Sequence, residues 1–467
     1  MTRLSNATIG QVRAGVATPG YDRAAVKAGV VHLGPGAFHR AHQAAAFDAL
    51  LAHDPRWGIT GVSLNSTSVA DALNPQDGLY TLALLDEEVS YRIIGSIGHI
   101  LTAHSDAAVL AALAGADTRI ISLTVTEKGY CLAGDGTLDM AHPGIVRDLK
   151  GGIPTTAIGW IVAGLAERKR QGLPGVTVLS CDNLSGNGRK LEAAVRAFAE
   201  ARDGDTARWI EDHVRFPNAM VDSITPATDD ALRACVSAAI GLEDAWPIQR
   251  EGFTQWVIED DFAGDRPELD RAGATFTTEV HGYEAAKLRL LNGPHSTLAY
   301  LGLGVGHASV AGAMADPKLA AFVERLMRED IALSLTPPVG LDVDAYILAI
   351  LKRFANPAIE HTLAQIAWDG SQKLPYRILD TTRDALAAGR PIDRLAVPIA
   401  AWLRFIERAA AAGERITDPL ADRLMAAGGD WHAILEMREV FGDLPSDSRF
   451  VAAVEKAHAA LADPNGY

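Results

Sequence analysis

Short apolar runs alternate with helical patterns in the first part of the chain and disappear from the second. Val30-Val31-His32-Leu33 reads as a strand and runs into Gly34-Pro35-Gly36-Ala37-Phe38-His39-Arg40-Ala41-His42. An Ala-rich helical stretch follows, from Ala44 to Leu51. Trp57–Leu64 reads as a second strand, and Leu79–Ile97 alternates like an inserted hairpin pair. Ile120–Thr126 and Val176–Ser180 are buried-type strands, with an amphipathic helix over Thr156–Lys169. From about Gly282 the strand signals vanish, and Ala- and Leu-rich helical patterns run to the end. The pattern predicts an α/β chain. A Rossmann-type nucleotide-binding domain with inserted strands occupies 1–280, and an all-α C-terminal domain occupies 281–467.

The bulk numbers narrow the class. At 467 residues, 48% hydrophobic and 22% charged, the chain is globular and long enough for two domains. A net charge of −15 argues against a nucleic-acid partner. Cys131, Cys181 and Cys235 form no CxxC pair, which suggests neither a disulfide framework nor a structural zinc. His32, His39 and His42 lack a recognised ligand spacing, so no metal is expected. Met1–Tyr21 has no apolar leader-type region, and no apolar run approaches about 18 residues. A cytoplasmic protein without a membrane partner is expected, a monomer or weak homo-oligomer acting on a small molecule.

Four polar clusters interrupt these elements. The first is the glycine loop, where a strand, a glycine turn and a helix can bring a pyrophosphate onto a helix N-terminus. His39 stands where a third glycine would complete the generic fingerprint, so a plain strand-to-helix turn explains the segment nearly as well. The second is the set of strand exits Asn65-Ser66-Thr67, Thr126-Glu127-Lys128-Gly129-Tyr130 and Cys181-Asp182-Asn183. Open α/β sheets place ligands beyond such carboxyl ends, although Asp182 and Asn187 could simply shape a turn and cap a helix. No acid follows the second strand until Asp71, which leaves NADP open beside NAD.

The third cluster is Tyr283–His295, where Lys287, Asn292 and His295 punctuate an otherwise apolar helical pattern. At about 100° per residue Lys287, His295 and Asn292 fall near 0°, 80° and 140°, with Pro294 bending the helix one turn back. A lysine facing packed surface is either snorkelling or tuned towards general-base work. The fourth runs from Asn356 to His361 and from Gln365 to Arg377; it reads as an anion- or polyol-binding loop or as an ordinary helix C-terminus.

Taken together these segments resemble the mannitol dehydrogenase family of polyol-specific long-chain dehydrogenases. The matching segments are Gly-x-Gly-x-Phe-His-Arg-x-His, Thr-Glu-Lys-Gly-Tyr, Asn183, Val-Asp-Ser-Ile-Thr-Pro, Gln255–Phe262, Lys-x4-Asn-x2-His and Asp-Gly-Ser-x-Lys. Lys128 and the continuation Gln-Lys-Leu-Pro-x-Arg look most like the fructuronate reductase branch. Ser223 departs from the pattern, standing where an Arg is usual.

The resemblance implies an NAD-dependent oxidoreductase interconverting a keto sugar acid and its hydroxy acid, D-fructuronate and D-mannonate. It implies cofactor contacts at Gly34, Gly36, Ala37, Phe38, Arg40, Asn65 and Glu127. Catalytic roles fall to Lys287, Asn183, Asn292 and His295, and substrate contacts to Asp222, Lys128, Lys373, Arg377 and His361. Asp222 could tune the lysine and Glu284 could gate its proton exchange with solvent. A mannitol 2-dehydrogenase or another polyol dehydrogenase, and a silent nucleotide-binding sugar sensor, are the alternatives.

Overall fold

Val30–Leu33 is buried at all four positions, as are Ile120–Leu123 and Thr177–Ser180. Parallel strands covered on both faces carry such continuous runs. The structure, a computed structural model, describes every residue except Glu87, His104, Glu360, Pro464 and Asn465. In chain order the strands are β1 (Val30–Leu33), β2 (Ile59–Ser63), β3 (Tyr80–Leu85), β4 (Ser90–Ile94), β5 (Ile97–Thr102), β6 (Ile120–Leu123), β7 (Thr177–Ser180), β8 (Ala219–Asp222), β9 (Ile248–Glu251), β10 (Gln255–Glu259) and β11 (Thr275–Thr277).

Five strands form a wholly parallel sheet of order β5-β2-β1-β6-β7. This is the order of the first five strands of a dinucleotide-binding fold, whose switch point lies between β1 and β6. One core cluster includes Ile121, Trp160 and Phe198, and another includes Val30, Phe47, Trp57 and Ile258. Two three-stranded sheets, β4-β3-β9 and β11-β10-β8, accompany it.

The expected hairpin is present as antiparallel β3 and β4, but the segment Leu79–Ile97 does not stop there. Ile97 opens β5, which returns to the main sheet beside β2. Only Gly95-Ser96 separates β4 from β5, so no turn-type cluster marks the change of sheet. Gly98 is skipped in the β2–β5 register, a bulge that further blurs the alternation. β9 and β11, four and three residues long, gave no period long enough to read.

The chain divides into two compact units, Met1–His281 and Gly282–Tyr467. The second is helical, with one isolated bridge, Ser309 to Thr362, among its described residues. Its longest helix, Asp393–Ala412, buries Leu395, Ile399, Trp402, Leu403 and Ile406, the spacing of a core-facing stripe. The helix Gly293–Gly304 is buried along its first ten residues. The fold is thus an α/β Rossmann-type domain with inserted strands, followed by an all-α domain.

The loop after β1 is fixed by close backbone approach. Gly34 has φ +86°, and a Cβ there would lie 2.2 Å from the Thr124 carbonyl oxygen. Thr124 Oγ1 donates to the Gly34 carbonyl at 2.8 Å, and His32 is hydrogen-bonded to Thr124 Oγ1 at 2.9 Å and Ser122 Oγ at 2.8 Å. His39 stacks on His32 with centroids 3.3 Å apart.

Gly34→Ala should therefore destabilise by more than about 1 kcal/mol, because Ala is strained at positive φ and the Thr124 carbonyl cannot retreat. A thermal melt should show a drop of roughly 2–4 °C per kcal/mol. Gly36→Ala, whose Cβ would meet nothing nearer than the Gly34 oxygen at 3.9 Å, should leave the melt unchanged. Equal melts for the two variants would refute this account of the loop.

Candidate active site

In the first unit the exits of β1, β2 and β6 surround a cleft of about 460 Å³. Gly34 and Gly36 come from β1, Asn65 and Ser66 from beyond β2, and Thr124 and Lys128 from beyond β6. Gly36 leaves open space where a side chain would stand, as close approach of a pyrophosphate needs. Among the described residues that line it, Lys128 is the one Lys, Arg, Asp or Glu. The cleft thus suits a phosphate-bearing ligand even though the chain is acidic overall. Asp71, the first acid after β2, accepts from Thr67 Oγ1 at 2.7 Å and does not line the cleft.

Four residues expected at the cofactor are not among those that line this cleft. Arg40 is buried, donates from Nη1 to the Trp246 carbonyl at 2.9 Å, and has its guanidinium 5.1 Å from the Trp246 ring and 5.6 Å from Tyr80. Phe38 stacks on His42 at 5.2 Å, and both Phe38 and Ala37 pack against the core beneath the loop. Glu127 is exposed and outside the cleft lining. A helix turning inward after Gly36 carries its side chains away from the loop's open side, so the motif's hydrophobic and cationic members serve packing. Lys128, expected at the substrate, also lines this cleft.

Asp182 ties two strand exits together. Its carboxylate accepts from Val125 N at 3.0 Å, Thr126 N at 2.9 Å and the Tyr130 hydroxyl at 2.8 Å. Burial pushes its pKa up, while those donors pull it down. Thr126 and Cys131 bracket the short helical turn Glu127–Tyr130 with φ of 64° and 54°, a conformation that non-glycine residues hold only under outside restraint. The next residue, Asn183, is exposed at this edge. Asn187 bonds across to β8, with Nδ2 donating to the Ala219 carbonyl at 2.7 Å and Oδ1 accepting from Ala219 N at 2.9 Å. Asp222 closes β8 and is buried, and Ser223 donates to the Phe253 carbonyl at 3.0 Å.

In the second unit Lys287 opens a π-helical turn, Lys287–Asn292, set between the helices Val280–Ala286 and Gly293–Gly304. Pro294 lacks the N–H that an α-helix would need there, and the backbone answers with a widened turn rather than a simple bend. The wheel angles expected from a continuous α-helix therefore do not hold. Closed by i→i+5 bonds, the turn gives Lys287 and Asn292 the one-turn relation that residues four apart have in an α-helix. Lys287 and Asn292 are half-buried; Glu284 and His295 are buried.

The His295 ring lies 4.4 Å from Phe354 and 5.0 Å, edge-on, from His361. Among the described residues His295 Nε2 and His361 Nδ1 are enclosed without a hydrogen-bond partner. Burial, then His361, Arg353 and Arg377, hold His295 well below the usual histidine range, so it stays neutral. His361 is lowered by burial and Arg353. A second π turn, Pro375–Leu379, carries Arg377, whose Nη1 donates to Ser296 Oγ at 3.0 Å. The two turns touch: a Cβ on Gly293 would lie 2.8 Å from the Arg377 carbonyl oxygen. Lys373 Nζ donates to the Ile366 carbonyl at 3.4 Å and is lowered by burial, then Arg377. Burial brings Arg377 to about 10. Gly370 of the Asp-Gly-Ser segment admits no side chain, since a Cβ would sit 2.3 Å from Trp402 Nε1 and 2.6 Å from the Tyr300 hydroxyl.

The second unit thus brings together His295, His361, Lys373 and Arg377, with Arg353 beside the two histidines. Arg353 escaped the sequence reading because a cation in the last turn of the helix Val343–Phe354 looks like a surface partner of the helix dipole. Its place on the apolar side, next to Phe354 and one turn after the buried Ile350, was the available signal. Among the described residues no group of three or more His, Cys, Asp or Glu is placed to hold a metal ion, and no helix is long and apolar enough to cross a membrane.

Comparison with known proteins matches both units. The family model of the mannitol dehydrogenase Rossmann domain covers residues 28–271, and that of the mannitol dehydrogenase C-terminal domain covers 279–462. D-mannonate oxidoreductase of Escherichia coli (strain K12) is 40% identical over 466 residues, spanning 96% of each chain. Mannitol 2-dehydrogenase of Phaeosphaeria nodorum is 39% identical over 474 residues, spanning 98% of this chain and 83% of that one. The ternary complex of Pseudomonas fluorescens mannitol 2-dehydrogenase with NAD and D-mannitol superposes with a TM-score of 0.84 at 37% identity, covering 100% of this chain and 98% of that one. A substrate-free D-sorbitol dehydrogenase does so with 0.94 at 32% identity and 99% coverage of both. With both of its units matched along nearly their whole length, the chain belongs to the mannitol dehydrogenase family.

Proposed function

We propose that this protein reduces the keto carbon of D-fructuronate with NADH and, in reverse, oxidises D-mannonate at the same CH–OH carbon. Family membership supports the coarser part, an NAD-dependent oxidoreductase acting on CH–OH groups of a small polyol or sugar acid. The observation that favours a sugar acid is the gathering of Arg353, Lys373 and Arg377 near His295 and His361. A carboxylate leaving water needs such cations, and a neutral ketose does not. A mannitol 2-dehydrogenase is the second reading, favoured by relatives of that name at similar identity.

The cleft at the β1, β2 and β6 exits fits a dinucleotide, with Gly34 and Gly36 at the pyrophosphate and Asn65 towards the ribose. NAD, when bound, supplies the hydride chemistry. Lys287 in its ammonium form gives a proton to the substrate oxygen as the C=O bond opens, and as a free amine removes it in the oxidative direction. Asn292, at the end of the same turn, donates a hydrogen bond to that oxygen as charge develops on it. Neutral His295 holds a substrate hydroxyl through the ring nitrogen that has no protein partner. Glu284 adjusts the proton traffic of Lys287.

Lys287→Ala should lower turnover by about 100- to 10000-fold with NADH binding nearly intact, the usual worth of a general acid–base group. Stopped-flow turnover and fluorescence titration of NADH check the two halves; retention of more than about a tenth of the activity removes lysine from that role.

Lys128→Gly tests the substrate's charge. A charge-assisted bond to the carboxylate contributes about 1.5–3 kcal/mol, so fructuronate kcat/KM should fall roughly 10- to 150-fold while fructose reduction changes little. Lys128 also lines the nucleotide cleft, and a raised KM for NADH with equal losses on both substrates would assign it to the cofactor instead. A wild-type preference for fructose would move the assignment to mannitol 2-dehydrogenase.

A further inference from the structure

Away from the nucleotide cleft, and sharing with it none of the described lining residues, the first unit has a smaller cavity of about 100 Å³. It lies against the helix Gln43–Leu51, where Ala45, Ala46 and Ala49 leave room, and two arginines enter it from the inserted sheet. Arg92 on β4 stands opposite Leu82 of β3, and Arg250 on β9 stands opposite Leu84. Leu82 and Leu84 are two residues apart and share a face, so both guanidinium groups do too.

The two cations are not alike. Arg92 Nη2 pairs with Asp48 Oδ2 at 2.7 Å, and the other oxygen of Asp48 accepts from the Tyr21 hydroxyl at 2.6 Å and Gly95 N at 2.8 Å. That carboxylate is already used. Among the described residues no carboxylate lies within ion-pair distance of Arg250, and its one protein hydrogen bond is a long one, 3.5 Å from Nη1 to the Glu251 carbonyl. The Glu251 carboxylate accepts from Ile224 N at 2.6 Å. Arg250 Nε is shut off from solvent with no partner, and so is the indole Nε1 of Trp256, which also lines the cavity. Burial holds the guanidinium down to about 10; Arg92 pushes it the same way, and Glu251 and Tyr80 oppose. A largely buried charge without a counter-charge is unfavourable, and a neighbouring cation adds to the cost.

We propose that this cavity is a binding site for one small oxyanion, held between Arg250 and Arg92 with the Trp256 indole N–H as a further donor. Its size admits a single phosphate, sulfate or short carboxylate and not a nucleotide. Guanidinium pairs suit that chemistry because their planar donors meet two oxygens at once. The site adjoins the root of the glycine loop: His42 meets the Trp256 ring at 5.8 Å and stacks on Phe38 at 5.2 Å. The proposal stands whether the sugar substrate is a uronate or a ketose.

The test is thermal unfolding of NAD-saturated protein, so that the pyrophosphate site is already filled. Phosphate, sulfate and acetate are titrated separately against chloride at constant ionic strength. The expected result is a saturable rise in Tm that grows with the logarithm of oxyanion concentration above its Kd. The arm that responds at the lowest concentration tells an inorganic oxyanion from a carboxylate. The rise should vanish in Arg250→Gln and Arg250→Met and persist in the surface variant Arg233→Gln. In chloride alone Arg250→Met should melt no lower than wild type, because it removes a largely buried charge that has no counter-charge. Calorimetric titration of the wild type should give one site per chain. No saturable rise in any arm up to about 50 mM, an equal rise in the Arg250 variants, or a destabilised Arg250→Met in chloride would overturn the proposal.

Discussion

One buried carboxylate sets the geometry of the first unit's working edge. Asp182 takes two backbone N–H groups and a phenol from the loop after β6 while itself standing at the end of β7. Parallel strands deliver their polar residues to a common edge, but nothing in the ladder fixes the loops beyond it. A carboxylate with three donors does, and it lets Thr126 and Cys131 hold left-handed backbone angles that would otherwise relax. Lys128 and Asn183 are positioned by the same fastening. The Gly34 turn rests on the neighbouring Thr124, so the nucleotide loop is braced from that side as well.

The second unit answers a different constraint. A helix that carries Lys287, Asn292 and Pro294 in eight residues cannot keep its regular ladder, and the widened turn is where the ladder yields. A matching turn holds Arg377, and the two meet at Gly293, where only a glycine leaves room for the facing carbonyl. In these two turns the irregular backbone falls at residues proposed for the chemistry, Lys287, Asn292 and Arg377.

Much of this was legible in the residues. The buried parallel strands, the glycine loop and the helical second half all follow from period and punctuation, because those signals are local. Lys287, Asn292 and His295 stood out as polar interruptions of an apolar pattern. Their mutual angles did not, since a proline's missing N–H changes the helix type and not merely its direction. The fates of Arg40 and Phe38 were hidden for another reason: a motif states which residues occur together, not which side of a turn each faces. Arg353 and Arg250 were illegible because burial of a cation depends on distant segments, and β9, which carries Arg250, is too short to announce itself.

The inserted sheet has a bearing on how the chain is made. β3 and β4 leave the main sheet between β2 and β5, yet the third partner of their sheet is β9, and Leu82 must wait for Ile248, roughly 170 residues later. At about 5–20 residues per second of synthesis, that interval is on the order of 10–30 s. During it the β3 edge that β9 will cover offers unpaired backbone to any other strand, the exposure that favours misassembly. Shielding of the nascent chain until β9 has emerged would cover that edge, and truncations upstream of β9 should aggregate rather than yield a smaller nucleotide-binding domain.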